Sequence, residues 1–244
     1  MTVAPYTFGV GLVKGSYTFR ARAYDNLGVY TDTLAIPVIV NTPPVVSLTA
    51  PLNNAVITAP ATFNLNATAT DADNNISKVE FYQAAALLGT DTSSPYSWPL
   101  SNIAKGSYIY TAKVYDVLGG IVTSSAINVL VNAPPTISLT TPNVFGTYNA
   151  PVDLILNASP ADSDGTITKV DFYSGATLIA TRTVPPYSHT VVGAPAAVYA
   201  FTAKVHDNKG AVTTSNVLNI TVAAPLSPAK FTYDELGRLI GVEH

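Results

Sequence analysis

A shift of 91 positions lays residues 44–134 on residues 135–225 without a gap, and no other feature limits the available folds as tightly. Pro44 falls on Pro135, Pro51 on Pro142, and Lys78-Val79-Glu80-Phe81-Tyr82 on Lys169-Val170-Asp171-Phe172-Tyr173. The same shift carries Gly15–Pro43 onto Gly106–Pro134, so one stretch, centred on Gly106–Gly119, occurs three times. Within it apolar residues take every second place, which puts one face in a core and the other in water, as in a half-buried strand. The outward places hold Arg20, Arg22, Lys113 and Lys204. Each copy ends in an Asp followed three residues later by Gly; the Asp accepts from its own turn and the Gly takes positive φ, which predicts a hairpin.

The period implies tandem units. Their expected bounds are 1–43 for the back half of a module, 44–132 and 135–224 for whole modules, and 225–244 for a linker with one hairpin. Seven strands are expected in 44–132. Val46 and Leu48 point inward on the first, Phe63, Leu65, Ala67 and Ala69 on the second, and Val79 and Phe81 on the third. An edge segment follows at Leu87–Thr90, then Tyr96–Trp98, the repeated strand, and Ile127–Val131. Short strands between turn signals, with no helical period, predict an all-β antiparallel sandwich. The joints at Pro43-Pro44 and Pro134-Pro135 are semi-rigid, because successive prolines favour extended backbone, and predict a rod of modules. Residues 1–43 have only one sheet face and cannot offset the entropy of ordering. That stretch is expected to be a truncated module in which Tyr17, Phe19, Ile36, Val38 and Val40 seek a partner, self-association included.

Composition narrows the function. With 48% hydrophobic and 11% charged residues and a net charge of −3, the chain is too apolar for disorder and too weakly charged for a nucleic-acid partner. No apolar run reaches the roughly 20 residues that span a bilayer. Met1-Thr2-Val3-Ala4-Pro5 shows no signal peptide, so any export signal is expected elsewhere in a longer parent. Cysteine is absent, which removes thiolate metal sites and thiol nucleophiles.

These residues give the unit a resemblance to the bacterial immunoglobulin-like domains of exported and cell-surface proteins. It is carried by Pro-Pro-x-Val/Ile-x-Leu, by Asp-x-Asp before Lys-Val-Glu/Asp-Phe-Tyr, and by Tyr-x-(Tyr/Phe)-x-Ala-Lys-Val-x-Asp. The resemblance implies tandem immunoglobulin-like sandwiches, a secreted or surface location in a bacterium, and a non-catalytic spacer or adhesive role. Tyr17, Tyr108 and Tyr199 open the sixth strand, where such sandwiches place a corner tyrosine whose hydroxyl bonds back to a loop. The tail Phe231-Thr232-Tyr233-Asp234-Glu235-Leu236-Gly237-Arg238-Leu239 resembles one unit of the YD repeat of Rhs-type proteins, through Tyr233, Asp234, Gly237, Arg238 and Leu239. In that family many such hairpins form a shell around a cargo; one unit carries neither over.

Three candidate chemistries remain. The loop Asp71-Ala72-Asp73 and its copy Asp162-Ser163-Asp164 place oxygen ligands at alternate positions, which suits Ca²⁺. In this topology Asp71, Asp73 and Asp116 share a pole with Asn41, and Asp162, Asp164 and Asp207 with Asn132. A metal there would stiffen the joint, although Asp and Asn also form ordinary turns and the EF-hand pattern is missing. Tyr82, Tyr115 and Tyr173 lie on outward phases, where they either stack on a glycan or pack across strands. A protein receptor is the other adhesive partner. Homotypic assembly through open edges is a further reading, with Pro37 inside Ile36–Val40. Catalysis is not expected: no Ser-His-Asp or HExxH pattern surrounds His189, His206 or His244. Lys113 and Lys204 are outward, against an isopeptide link, and Asn66-Ala67-Thr68 and Asn157-Ala158-Ser159 match a glycosylation sequon only by local composition.

Overall fold

The computed structural model describes residues 4–142, 148–225 and 230–243. Three of the residues read for a leader (1–3), part of the linker (226–229) and His244 therefore lie outside the described residues. Every regular element among the described residues is a β-strand, and the chain divides into two compact units. One comprises Met1–Ile57 with Ala61–Leu130, the other Val131–His244 with Thr58–Pro60.

The first unit begins with four short strands: β1 (Gly15–Phe19), β2 (Arg22–Tyr24), β3 (Tyr30–Asp32) and β4 (Ile36–Val40). β1 pairs antiparallel with β4, and β2 with β3. Nine strands follow: β5 (Val45–Ala50), β6 (Ala55–Thr58), β7 (Ala61–Thr70), β8 (Ile76–Gln83), β9 (Ala86–Asp91), β10 (Tyr96–Ile103), β11 (Gly106–Asp116), β12 (Ile121–Thr123) and β13 (Ile127–Asn132). One sheet has the order β10-β7-β5; the other runs β6-β13-β11-β8-β9, with β12 also on β11.

The second unit repeats this plan. Its strands are β14 (Thr136–Thr140), β15 (Tyr148–Asn149), β16 (Val152–Ala161), β17 (Ile167–Ser174), β18 (Thr177–Arg182), β19 (Ser188–Ala194), β20 (Ala197–Asp207), β21 (Val212–Thr214) and β22 (Leu218–Ala223). Its sheets are β14-β16-β19 and β15-β22-β20-β17-β18, with β21 on β20. The tail forms a hairpin of β23 (Lys230–Tyr233) and β24 (Leu239–Glu243).

This is the all-β sandwich that the alternation implies, mainly antiparallel but with β15 pairing parallel with β22, and with two short strands more than the seven expected. β6 and β12 are not visible as patterns because they are three or four residues long and exist only through partners. Ala59 N–H donates to Asn132 O at 2.7 Å and holds the end of β6 to the last strand. Asn54, at φ 65°, turns the chain from one sheet to the other.

Alternation becomes burial along β11, where Tyr110, Ala112 and Val114 are wholly buried and Thr111, Lys113 and Tyr115 are not. β20 repeats this with Phe201, Ala203 and Val205. They pack with Leu139, Leu154, Leu156, Val170, Phe172, Ile220 and Val222 into one core. Each large side chain so buried contributes about 1.5–3 kcal/mol, which stabilises the unit without a disulfide. Small differences between the copies compensate one another. Trp98 lies across Gly89, whose missing Cβ makes room for the indole; the matching positions hold Ala180 and the smaller His189.

A hydroxyl marks the strand beside this core three times. Ala112 N–H donates to Ser124 Oγ and Ala203 N–H to Ser215 Oγ, both at 3.0 Å. Ala21 N–H makes the same bond to Thr33 Oγ1 at 3.0 Å. Each hydroxyl in turn donates a hydrogen bond to the carbonyl of the next residue, Leu34, Ser125 or Asn216.

Candidate functional site

The polar residues gather at one pole of each unit, where the connection after the second long strand meets the turn after the repeated strand. Asp116 Oδ1 accepts from the backbone of Leu118 and Gly120 at 2.8 and 2.7 Å, and its Oδ2 from Asn41 Nδ2 at 2.5 Å. Asp207 does the same with Lys209 and Ala211 (2.9 and 2.7 Å) and with Asn132 Nδ2 (2.6 Å). Asp73 Oδ2 accepts Thr42 N–H at 2.7 Å, and Asp164 Oδ2 accepts Ala133 N–H at 3.2 Å. Asp71 Oδ1 closes its own turn onto Asp73 N–H, as Asp162 Oδ1 does onto Asp164 and Gly165.

Two lysines absent from the sequence reading join these clusters. Lys14 donates to Ala72 O at 2.8 Å and stands 3.8 Å from Asp73 Oδ1. Lys209 donates to Asp164 O and lies 3.1 Å from its Oδ2. The Asn41 amide, followed by turn amides, holds Asp116 below the usual carboxylate range despite its burial. Burial raises Asp207 and Asp164, but Asn132 and backbone amides outweigh it for the first, and Ala133 N–H, Lys209 and the adjoining Asp162 carboxyl for the second.

Not every acceptor is satisfied. Asn41 Oδ1, Asp71 Oδ2 and Asn75 Oδ1 in the first unit are buried without a hydrogen-bond partner, as are Asn132 Oδ1, Asp162 Oδ2 and Asp164 Oδ1 in the second. Among the described residues no three His, Cys, Asp or Glu side chains stand close enough to hold a metal by themselves. Asp116 and Asp207 have both oxygens engaged with donors, so they position Asn41 and Asn132 and offer no free oxygen.

A second polar group covers the outward face of β8 and β11. Glu80 is only 6% exposed, with Lys78 Nζ at 2.5 Å and Tyr82 Oη at 2.6 Å on its carboxylate. Burial pushes its pKa up, but Lys78, Tyr82 and Tyr115 together hold it down at about 2. In the second unit Asp171 takes this place, with Lys169 at 2.7 Å, Thr181 Oγ1 at 2.6 Å and His206 Nε2 at 3.0 Å. The Thr181 hydroxyl donates to the acid and not to the imidazole, so it is not poised as a nucleophile on His206. The spacing Lys-x-Asp/Glu on one strand face was the available sequence signal for these pairs.

The exposed-phase tyrosines are half-buried and capped by cations. Lys113 lies 4.7 Å over Tyr82, Lys78 4.4 Å over Tyr115, and Lys204 5.0 Å over Tyr173, each within cation–π range. Tyr17, Tyr108 and Tyr199 each donate a hydroxyl at 2.9 Å to the backbone four residues upstream, at Val13, Ala104 and Pro195. His189 is half-buried beside Phe172, and burial followed by Arg182 lowers its pKa.

The tail turn is the repeat turn once more. Asp234 Oδ1 accepts Leu236 and Arg238 N–H at 3.0 and 2.8 Å, as Asp25 does with Leu27 and Val29. Gly28, Gly119, Gly210 and Gly237 all take φ between 74° and 96°, where a side chain would be strained. The letters Tyr-Asp-x-Leu-Gly recur at 24–28, 115–119 and 233–237, and the turn accounts for the Asp and the Gly, since His206-Asp207-Asn208-Lys209-Gly210 makes it without the Tyr or the Leu. Arg238 Nε on Asp234 Oδ2 at 2.7 Å is peculiar to the tail.

A concavity of about 670 Å³ lies on the early strands between Tyr6, Arg22, Tyr24 and Asp32. Its charged groups face each other, Arg22 to Asp32 at 2.7 and 2.9 Å. Among the described residues no helix is long and apolar enough to cross a membrane.

Known proteins are similar to this chain. The profile of the Bacterial Ig domain family matches residues 44–112 and again 135–203. Exoglucanase B of Cellulomonas fimi is 25% identical over 225 residues, which is 86% of this chain and 20% of the relative's own length. The chain thus spans about a fifth of that relative. The fibronectin(III)-like modules of Clostridium thermocellum CbhA are 27% identical, cover 74% of this chain and 95% of theirs, and superpose with a TM-score of 0.45. Three N-terminal domains of the bacteriophage RB49 Hoc protein are 13% identical at 90% and 91% coverage, with a TM-score of 0.45.

Proposed function

We propose, for a chain that belongs to the bacterial Ig domain family, a non-catalytic structural role: tandem modules that space or carry other parts of an extracellular protein. One observation carries this reading. Each unit fills its core with its own side chains and engages most of its buried acids with backbone amides, lysines or asparagines, and among the described residues no acid–base–nucleophile set is assembled. Support for a secreted or surface setting comes from the family and from the Cellulomonas fimi relative, whose name assigns it an exoglucanase activity. In such a protein the stretch is an accessory to catalysis carried elsewhere.

Adhesion is the reading from another class, favoured by Tyr82, Tyr115 and Tyr173 on accessible faces. A glycan stacking there has to displace Lys113, Lys78 or Lys204 from the rings. The attached body, on this proposal, is of Rhs type, supported by the Tyr233–Leu239 match and its Asp234–Arg238 pair. Retention of the whole chain on insoluble glucans and on a glycan array separates the two classes. A spacer shows no saturable retention, and saturable binding lost on Tyr82→Ala and Tyr115→Ala sinks the spacer reading in favour of the adhesin.

A further inference from the structure

We propose that each unit binds one Ca²⁺ ion at its polar pole, through Asn132 Oδ1, Asp162 Oδ2 and Asp164 Oδ1 in the second and Asn41 Oδ1, Asp71 Oδ2 and Asn75 Oδ1 in the first. Every one of these atoms is an acceptor, and each is buried without a donor. Such atoms are rare in native proteins because each forfeits its hydration, and carboxylate oxygens forfeit most. Six of the eight unpartnered side-chain atoms among the described residues fall at these two poles. Two of them are the same atoms in both units, since Asn41 matches Asn132 and Asp71 matches Asp162 across the repeat.

Asn132 gives the clearest indication. Its side chain is 1% exposed, and its Nδ2 is fixed on Asp207 Oδ2, so the orphaned Oδ1 is held in place. The next residue, Ala133, grips Asp164, whose carboxyl adjoins that of Asp162. In the first unit Thr42 grips Asp73 next to Asn41, and Asn75 O accepts Val117 N–H beside Asp116. Amide and carboxylate oxygens in one water-poor neighbourhood are the ligands that a hard cation of six to eight oxygens takes, with carbonyls and water completing its shell. Soft or nitrogen-seeking metals have nothing to hold, since no Cys or His is present there.

Lys209 is the competing cation in the second unit, as Lys14, on Ala72 O and 3.8 Å from Asp73 Oδ1, is in the first. The Lys209 ammonium stands on Asp164 O and Oδ2, so it lowers the charge available to Ca²⁺ in the second unit. Removing it as Lys209→Met strengthens that site.

The test is equilibrium dialysis of the whole chain against ⁴⁵Ca²⁺, with thermal unfolding in Ca²⁺, Mg²⁺ and chelator. Two ions per chain are expected, with dissociation constants of roughly 10⁻⁴–10⁻³ M, as in extracellular modules. A tenfold excess over that constant raises the unfolding midpoints by roughly 6–8 °C. Asp71→Asn with Asp162→Asn keeps the turn acceptor and replaces the orphaned oxygen by an amide, and abolishes both binding and shift. Lys209→Met tightens one of the two sites. No bound ⁴⁵Ca²⁺ at about 10 mM, or binding unchanged in the double variant, overturns the site; in that case water satisfies the six oxygens. An equal response to Mg²⁺ overturns the assignment to Ca²⁺.

Discussion

Residues 15–40 and 106–131 share a strand, a turn and a hydroxyl bond, yet one stretch is wet and the other dry. Tyr17 and Phe19 are only half-buried and Ala21 and Ala23 are exposed, while Tyr110 and Ala112 are wholly buried. In the later copy β11 has β8 on one edge and the second sheet over its face. In the earlier copy the strand, among the described residues, is paired only through β4 and β3, and it breaks into β1 and β2 at Arg20-Ala21. The sequence pattern therefore chooses which side chains face inward, and only a partner sheet makes that face a core.

The largest test of this contrast removes the ring at the matched position. Phe201→Ala, at 1% exposure, should cost about 3–5 kcal/mol of its unit's stability, and Phe19→Ala less than about 0.5 kcal/mol. Calorimetry of the full chain separates them, and equal effects refute the idea that residues 15–40 lack a core.

Acid comes next. Glu80 has its pKa depressed to about 2, from 4.5, so its contribution is present above pH 4.5 and lost as pH falls toward 2. Glu80→Gln should cost about 1–3 kcal/mol at pH 7 and little at pH 2. The single tryptophan, Trp98, lies in the same unit and reports its unfolding by fluorescence. The early strands hold no such buried acid, and a midpoint indifferent to pH between 5 and 2 contradicts the assignment.

Smaller still is the hydroxyl. Ser124→Ala strands the buried Ala112 N–H and should cost about 1–2 kcal/mol, while Thr33→Ala leaves Ala21 N–H to water at a few tenths. The last change runs the other way. Tyr110 Oη is buried without a partner where the other two copies carry Phe19 and Phe201. Tyr110→Phe should stabilise its unit by about 1 kcal/mol, read from the denaturant midpoint; a loss instead means that the hydroxyl is satisfied.

Much of this was legible in the residues, because a repeated strand reveals its own alternation and an Asp-x-x-Gly its own turn. β6 and β12 were not, being too short to show a period before their partners are known. Nor was the burial of Glu80 and Asp171, which occupy outward phases and are covered by Lys78, Tyr82 and Tyr115 or by Lys169, Thr181 and His206 from their own and neighbouring strands. That depends on cross-strand register, which side-chain periodicity does not encode. Asn41 and Asp116 stand 75 positions apart and meet through topology, but which of their oxygens stays unpaired depends on side-chain placement. Lys209 stands where the preceding copy has Leu118, so no repeat argument pointed to it, and Lys14 falls on Lys105 but meets Ala72 and Asp73 only through topology.

The hydroxyl bonds of Thr33, Ser124 and Ser215 give the molecule three built-in clocks. In deuterated solvent the amide protons of Ala112 and Ala203 are released only when their own unit opens, whereas that of Ala21 is released at nearly the rate of a free peptide. Chemically alike and flanked by similar residues, the three differ only in shelter, so a single isotope-labelling time course times the opening of each stretch against the others.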